Sequence, residues 1–244
     1  MNENFINFKS EILTMKDSEK AKKLMTFFKT KKGQYAYGDV FLGINVPKVR
    51  ELVKKYYKLL SFDYIEPLLK SEYHEIRLAS LLMLVKLFEK ASDKDRKLIL
   101  NIYLNNCSYI NNWDLVDLSA PKIVGFYSYL NNSEDILWRL AKSKHLWSER
   151  ISVVASLYLI KNDKYDYALK VCKFFLNHNH DLMHKAVGWI LREVGKRDEK
   201  LLVKFIEEYG KYMHRTTLRY SIEKFDEKKR KEFLAIKKVN CENI

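Results

Sequence analysis

His74-Glu75-Ile76-Arg77-Leu78-Ala79-Ser80 is a plan that the chain writes more than once. Trp147-Ser148-Glu149-Arg150-Ile151-Ser152-Val153 follows it, as do Leu182-Met183-His184-Lys185-Ala186-Val187-Gly188 and Met213-His214-Arg215-Thr216-Thr217. In each, a basic residue opens an apolar helix just after a short helix and a tight turn. Arg77 to Arg150 covers about two periods of roughly 36 residues, and the steps on to Lys185 and Arg215 about one each. The missing unit falls on Trp113-Asp114. Apolar residues recur at three- and four-residue spacing, as in Leu78, Leu81, Leu82 and Val85, or Leu201, Leu202, Phe205 and Ile206. Seven glycines and three prolines leave little room for the turns of an all-β fold. The expectation is an all-α chain: a right-handed α-solenoid of HEAT-like helix-pair repeats with a concave basic groove. One solenoid is expected over residues 1–236, with 237–244 as a short flexible tail.

Equivalent positions of stacked repeats line up in space, so the second helices present a row: Arg77, Trp113/Asp114, Arg150, Lys185, Arg215. A cationic stripe of this kind suits a duplex backbone. The competing reading is that each cation ties a helix end to a neighbouring Asp.

The totals agree with a well-filled fold. At 244 residues, 47% apolar and 31% charged, the chain is neither disordered nor built for a bilayer. Apolar runs stay short of the roughly 18 residues of a spanning helix. Met1 to Lys16 lacks the basic-then-apolar layout of a secretion signal. Cys107, Cys172 and Cys241 are odd in number and far apart, which fits reduced thiols rather than a disulfide frame or a metal site. A cytoplasmic monomer is expected, associated with the nucleoid if the source is bacterial. Forty-five basic residues against 31 acidic ones leave a net charge of +14, which draws polyanions at long range.

Against that basic background, Asn111-Asn112-Trp113-Asp114-Leu115-Val116-Asp117 puts carboxylates where the repeat elsewhere puts a cation. Trp113 and Asp117 are four apart and share a face if a helix starts near Asn112. Asp114 lies nearer the helix start and reads as a cap for free backbone N–H groups. That leaves Asp117 as the functional carboxylate, the alternative being an ion pair with Arg150 or another repeat cation. Gly188, before Trp189, costs a helix about 1 kcal/mol relative to Ala, so something approaches closely there. Helix packing with Trp189 as core is the alternative, and Trp147 is equally open between surface and core. Gly33 to Pro47 reads as an ordered loop leading into a helix at Pro47, and matches neither a phosphate loop nor a dinucleotide fingerprint. His178, His180 and His184 lack the cysteine or paired carboxylate that would complete a metal site. No metal or cofactor is expected.

Four segments then carry a resemblance. Phe41-Leu42-Gly43-Ile44-Asn45-Val46-Pro47-Lys48-Val49-Arg50, Asn112-Trp113-Asp114-Leu115-Val116-Asp117, Trp147-Ser148-Glu149-Arg150 and Lys185-Ala186-Val187-Gly188-Trp189-Ile190-Leu191-Arg192-Glu193 occur in that order. Together they resemble the DNA alkylation repair family of AlkD-like HEAT-repeat DNA glycosylases. The resemblance implies a solenoid that wraps duplex DNA and hydrolyses the N-glycosidic bond of cationic alkylpurines such as 3-methyladenine and 7-methylguanine. It implies that the base is not drawn into a pocket, unlike most glycosylases. It also places Asp117, Trp113 and Trp189 around the lesion's deoxyribose and Arg150 on the backbone. Arg77, Lys185 and Arg215 of the row, with Arg192 from the last segment, complete the expected DNA-binding set. The chain departs from the family pattern in two places. Phe27, with Phe28 beside it, stands where an aromatic with a hydroxyl is expected, and Asp181-Leu182 stands where an aromatic pair is expected. A non-catalytic solenoid that binds damaged or branched DNA is therefore the second expectation, and a protein-interaction scaffold the third.

Overall fold

The computed structural model describes residues 2–239. Among them the chain is all-α, apart from an isolated bridge between Val40 and Tyr73. It divides into two compact units, one closing at Ile123 and the other opening at Val124. Residues 240–244, most of the expected tail and Cys241 with it, lie outside the described residues.

The first unit holds α1 (Glu3–Thr14), α2 (Ser18–Phe27), α3 (Val46–Tyr56), α4 (Phe62–Leu69), α5 (His74–Lys90), α6 (Asp93–Asn105) and α7 (Trp113–Ala120). Side-chain caps set most of the starts: Asp17, Asn45 and Ser92 each accept a backbone N–H from the first turn of α2, α3 and α6. Pro47 sits in the first turn of α3, where its missing N–H costs nothing. α5 is buried from His74 through Val85 on every side, so it has no polar face to turn outward. It packs against α3, α4, α6 and α7, which makes it the axis of this unit.

The second unit holds α8 (Phe126–Leu130), α9 (Asp135–Ala141), α10 (Leu146–Lys161), α11 (Asp166–Phe174), α12 (Asp181–Gly195), α13 (Glu199–Tyr209), α14 (Arg215–Ser221) and α15 (Glu227–Leu234). α10 packs on α12 and α12 on α14, while α9 packs on α10, α11 on both α10 and α12, and α13 on α12. Successive helix pairs stacked in this way are the packing of an α-solenoid. Arg150, Lys185 and Arg215 each fall in the first turn or so of a second helix, as the repeat spacing predicts. Gly188 marks the tightest approach: a Cβ there would lie 2.5 Å from the Cβ of Tyr220 and 2.6 Å from the carbonyl oxygen of Thr217. What comes close to Gly188 is therefore the neighbouring helix.

Candidate functional site

In the first unit the site begins at the start of α7. Asn112 is the N-cap: its Oδ1 accepts the Trp113 N–H at 2.9 Å and its Nδ2 donates to Asp39 at 3.3 Å. Asp114 has the first-turn role expected of it, its Oδ1 accepting the Leu115 N–H at 2.9 Å. Its other oxygen, however, is bound 2.9 Å from Nε2 of His74. The opposite ring nitrogen of His74 lies 3.0 Å from Asp39. Sequence reasoning passed over His74 and Asp39. The available signal was the His74 that opens the first copy of the repeat, ahead of its cation.

His74 is almost fully buried, at 2% exposure. Burial pushes its pKa down, but the charge of Asp114 and the hydrogen bonds to both carboxylates outweigh that and raise it from 6.5 to about 9. The ring is therefore an imidazolium at neutral pH. Burial likewise pushes Asp39 up, yet the His74 hydrogen bond and the Arg77 charge leave it below the ordinary 3.8. Two buried cations and two carboxylates thus close a neutral cluster. Beside it, Glu75 accepts the backbone N–H groups of Leu42, Gly43 and Ile44 at 2.8–3.1 Å, which fixes the loop ahead of α3.

An aromatic column rises from this cluster. Phe41 stacks on His74 with ring centres 4.4 Å apart, Phe28 on Phe41 at 5.0 Å, and Trp113 on Phe28 at 5.2 Å. Phe27 meets Trp113 edge-on at 6.1 Å and is itself 65% exposed. α7 starts where the pattern requires, so Trp113 and Asp117 do share a face, and both are half-buried. Tyr103 of α6 bonds to Ser119 of α7 at 2.9 Å, and burial holds its hydroxyl protonated, the Asp117 charge adding to that least of all. Lys29, Lys31 and Lys32 follow Phe27 in an exposed loop.

The expected row of cations has a different fate. Arg77 is 4% exposed; its guanidinium pairs with Asp39 and donates to the carbonyls of Ser71 and Glu72 and to Asn111. It is a buried tie between helix starts. Arg215, half-buried, donates to the carbonyls of Leu234 and Ile236, where it closes the end of α15. Arg150 is 4% exposed and donates to the Leu182 carbonyl at 2.6 Å, linking α10 to the start of α12. Arg192 pairs with Glu223, and Lys185 with Asp181 one turn back at 2.7 Å. Turns and helix ends leave carbonyls to be satisfied, carboxylates ask for a counter-ion, and the cations nearest to them serve both.

Trp189, on α12, is half-buried, whereas Trp147 is core at 6% exposure. The histidines of this unit serve helix starts. His145, His180 and His214 are N-caps of α10, α12 and α14, each accepting a backbone N–H through a ring nitrogen. His178 bonds to Glu149, and His184 stacks on His214 at 3.9 Å.

The sequence matches a family model described as DNA alkylation repair enzyme over residues 8–225. Among solved structures, one described as a predicted DNA alkylation repair enzyme from Enterococcus faecalis superposes with a TM-score of 0.70. The superposition covers 87% of this chain and 98% of that one at 18% identity, a likeness of fold. No curated protein matches the sequence.

Proposed function

The chain belongs to the DNA alkylation repair enzyme family, and from that premise we propose that it is a DNA glycosylase acting on cationic alkylated purines, 3-methyladenine and 7-methylguanine, in duplex DNA. The observation that carries this reading is the half-buried carboxylate of Asp117 one turn beyond the half-buried indole of Trp113, on the first two turns of α7. An alkylated purine already bears its positive charge, so its departure needs no acid. The bond from C1′ to the purine nitrogen breaks with its electron pair leaving on the base. Asp117 stabilises the oxocarbenium-like sugar that remains and orients a water, whose oxygen bonds to C1′ as its proton passes to Asp117 or solvent. Such an electrostatic contribution is worth about 3 kcal/mol, on the order of a hundredfold in rate. That suits a labile bond and leaves unmodified nucleosides intact. Trp113 adds about 0.5–2 kcal/mol through its ring face toward a cationic sugar or base, and the family pattern gives Trp189 the same task.

Duplex DNA is held through the net charge of +14. With Arg77 and Arg215 tied into the fold, the exposed Lys29, Lys31 and Lys32 beside Phe27 take over phosphate contacts, together with the solvent-facing Lys185. Arg150 acts by fixing the start of α12 rather than by reaching out. The protein works as a cytoplasmic monomer without a cofactor.

The test is release of free base from methylated duplex, read by chromatography. Asp117→Asn should lower excision by about a hundredfold while DNA binding is kept. Undiminished excision by that variant would remove Asp117 from the reaction. One observation favours a second reading: Phe27 presents a bare ring where the family pattern has a hydroxyl. If methylated duplex is bound tightly and no base appears, the chain is a damage-binding solenoid.

A further inference from the structure

We infer that His74 is a positioning residue for this site: with Asp39 and Asp114 it forms a buried clamp that sets how the start of α7 presents Trp113 and Asp117. The inference rests on the function proposed above for those two residues. The geometry brackets Trp113 on both sides. Asn112, before it, donates to Asp39; Asp114, after it, accepts from His74; and His74 joins the same two carboxylates. The indole itself ends a stack whose far end is the His74 ring. Backbone and side chain of the same residue are thus referred to one imidazole.

The charged groups facing that imidazole come from every element around it: Asp39 from the loop before α3, Asp114 from α7, and Arg77 from the next turn of α5, through Asp39. Glu75, although adjacent, turns to the Leu42–Ile44 backbone, and Phe28 and Phe41 supply ring faces. Packing alone does not call for this arrangement. Replacing a buried ion cluster by apolar residues of similar volume is often neutral or stabilising, so its return lies in fixing one geometry. Only the charged ring donates to both carboxylates at once; a neutral one keeps a single N–H and must release a partner. Loss of the second proton therefore frees either Asp114 or Asp39, and the α7 start moves with it.

The experiment has two arms. In the first, the protein labelled with ¹⁵N at its indoles is titrated toward alkaline pH, with the Trp113 signal assigned through Trp113→Phe. The Trp113 signal should shift with the midpoint of the His74 ring and stay put in His74→Gln, while that of the buried Trp147 stays put in both. In the second, single-turnover excision from methylated duplex is compared between wild type and His74→Gln across pH, so that titration of the lesion cancels in the ratio. The variant should be slower by at least about tenfold at neutral pH. That gap should close as pH passes the His74 midpoint, with DNA affinity little changed. A gap that is constant with pH, or none, overturns the inference. If wild type releases no base, the enzymatic reading fails and the indole titration decides the clamp alone, as it does if His74→Gln does not fold. A Trp113 signal indifferent to the His74 charge then overturns it.

Discussion

The two units use the same side chain in opposite hydrogen-bonding roles. At the α5–α7 junction, His74 is an imidazolium sealed between carboxylates. At the starts of α10, α12 and α14, His145, His180 and His214 accept backbone N–H groups through a ring nitrogen, which requires that nitrogen to be unprotonated. The difference follows from what each helix start needs. A chain end with free N–H groups asks for an acceptor, and a lone pair on imidazole supplies it. A junction crowded with two aspartates asks for a donor with two protons. The first solution assembles a stack; the second locks one helix start, the one that carries Trp113 and Asp117.

The comparison can be broken hardest at Asp39. Asp39→Ala strips a carboxylate from both His74 and Arg77 and leaves buried charge uncompensated, with an expected loss of about 3–5 kcal/mol in urea unfolding. A loss below about 1 kcal/mol would mean that the cluster is solvated and the contrast false. Next comes Gly188→Ala. The added methyl has no room against Thr217 and Tyr220, so α12 and α14 must part and the stacked His184 and His214 with them. Thermal unfolding should report about 1–3 kcal/mol, and an unchanged midpoint would show that the helices slide freely.

Acidity separates the units further. The folded pKa of His74, about 9, lies above its usual 6.5, so its contribution is complete below the usual value and is lost as pH rises through the folded one. His184 is shifted the other way, chiefly by burial, so its contribution holds above 6.5 and fades as pH falls below it. Hydrogen exchange, corrected for intrinsic rates, should show α5 and α7 loosening first on the alkaline side and α12 on the acid side. The same helices yielding first at both ends would erase the distinction. The smallest effect is expected of His180→Asn, which keeps an N-cap acceptor at the start of α12. Stability in urea unfolding should move by less than about 1 kcal/mol, and a larger loss would show that the ring does more than cap the helix.

Much of this architecture was legible in the chain itself. Apolar spacing and the recurring basic residue located the second helices, and α7 starts beside Asn112, where the sequence suggested a helix start. The common face of Trp113 and Asp117 followed from a spacing of four once the helix start was fixed. The fate of the cations did not follow. Whether Arg77 meets solvent or Asp39 depends on a partner 38 positions away in a loop, and no periodicity encodes that. His74 was hidden for the same reason: its two carboxylates lie 35 and 40 positions off, on different elements. Gly188 was readable as a close approach, though what approaches it required the neighbouring helix.

That glycine has a consequence for how the sequence can drift. Position 188 accepts a side chain only if the helix that carries Thr217 and Tyr220 moves away, because the obstruction is partly main chain and cannot swing aside. The heading of the indole at 189 is thus inherited together with a helix two elements downstream. Any lineage that discards the small residue must re-aim its tryptophan as well.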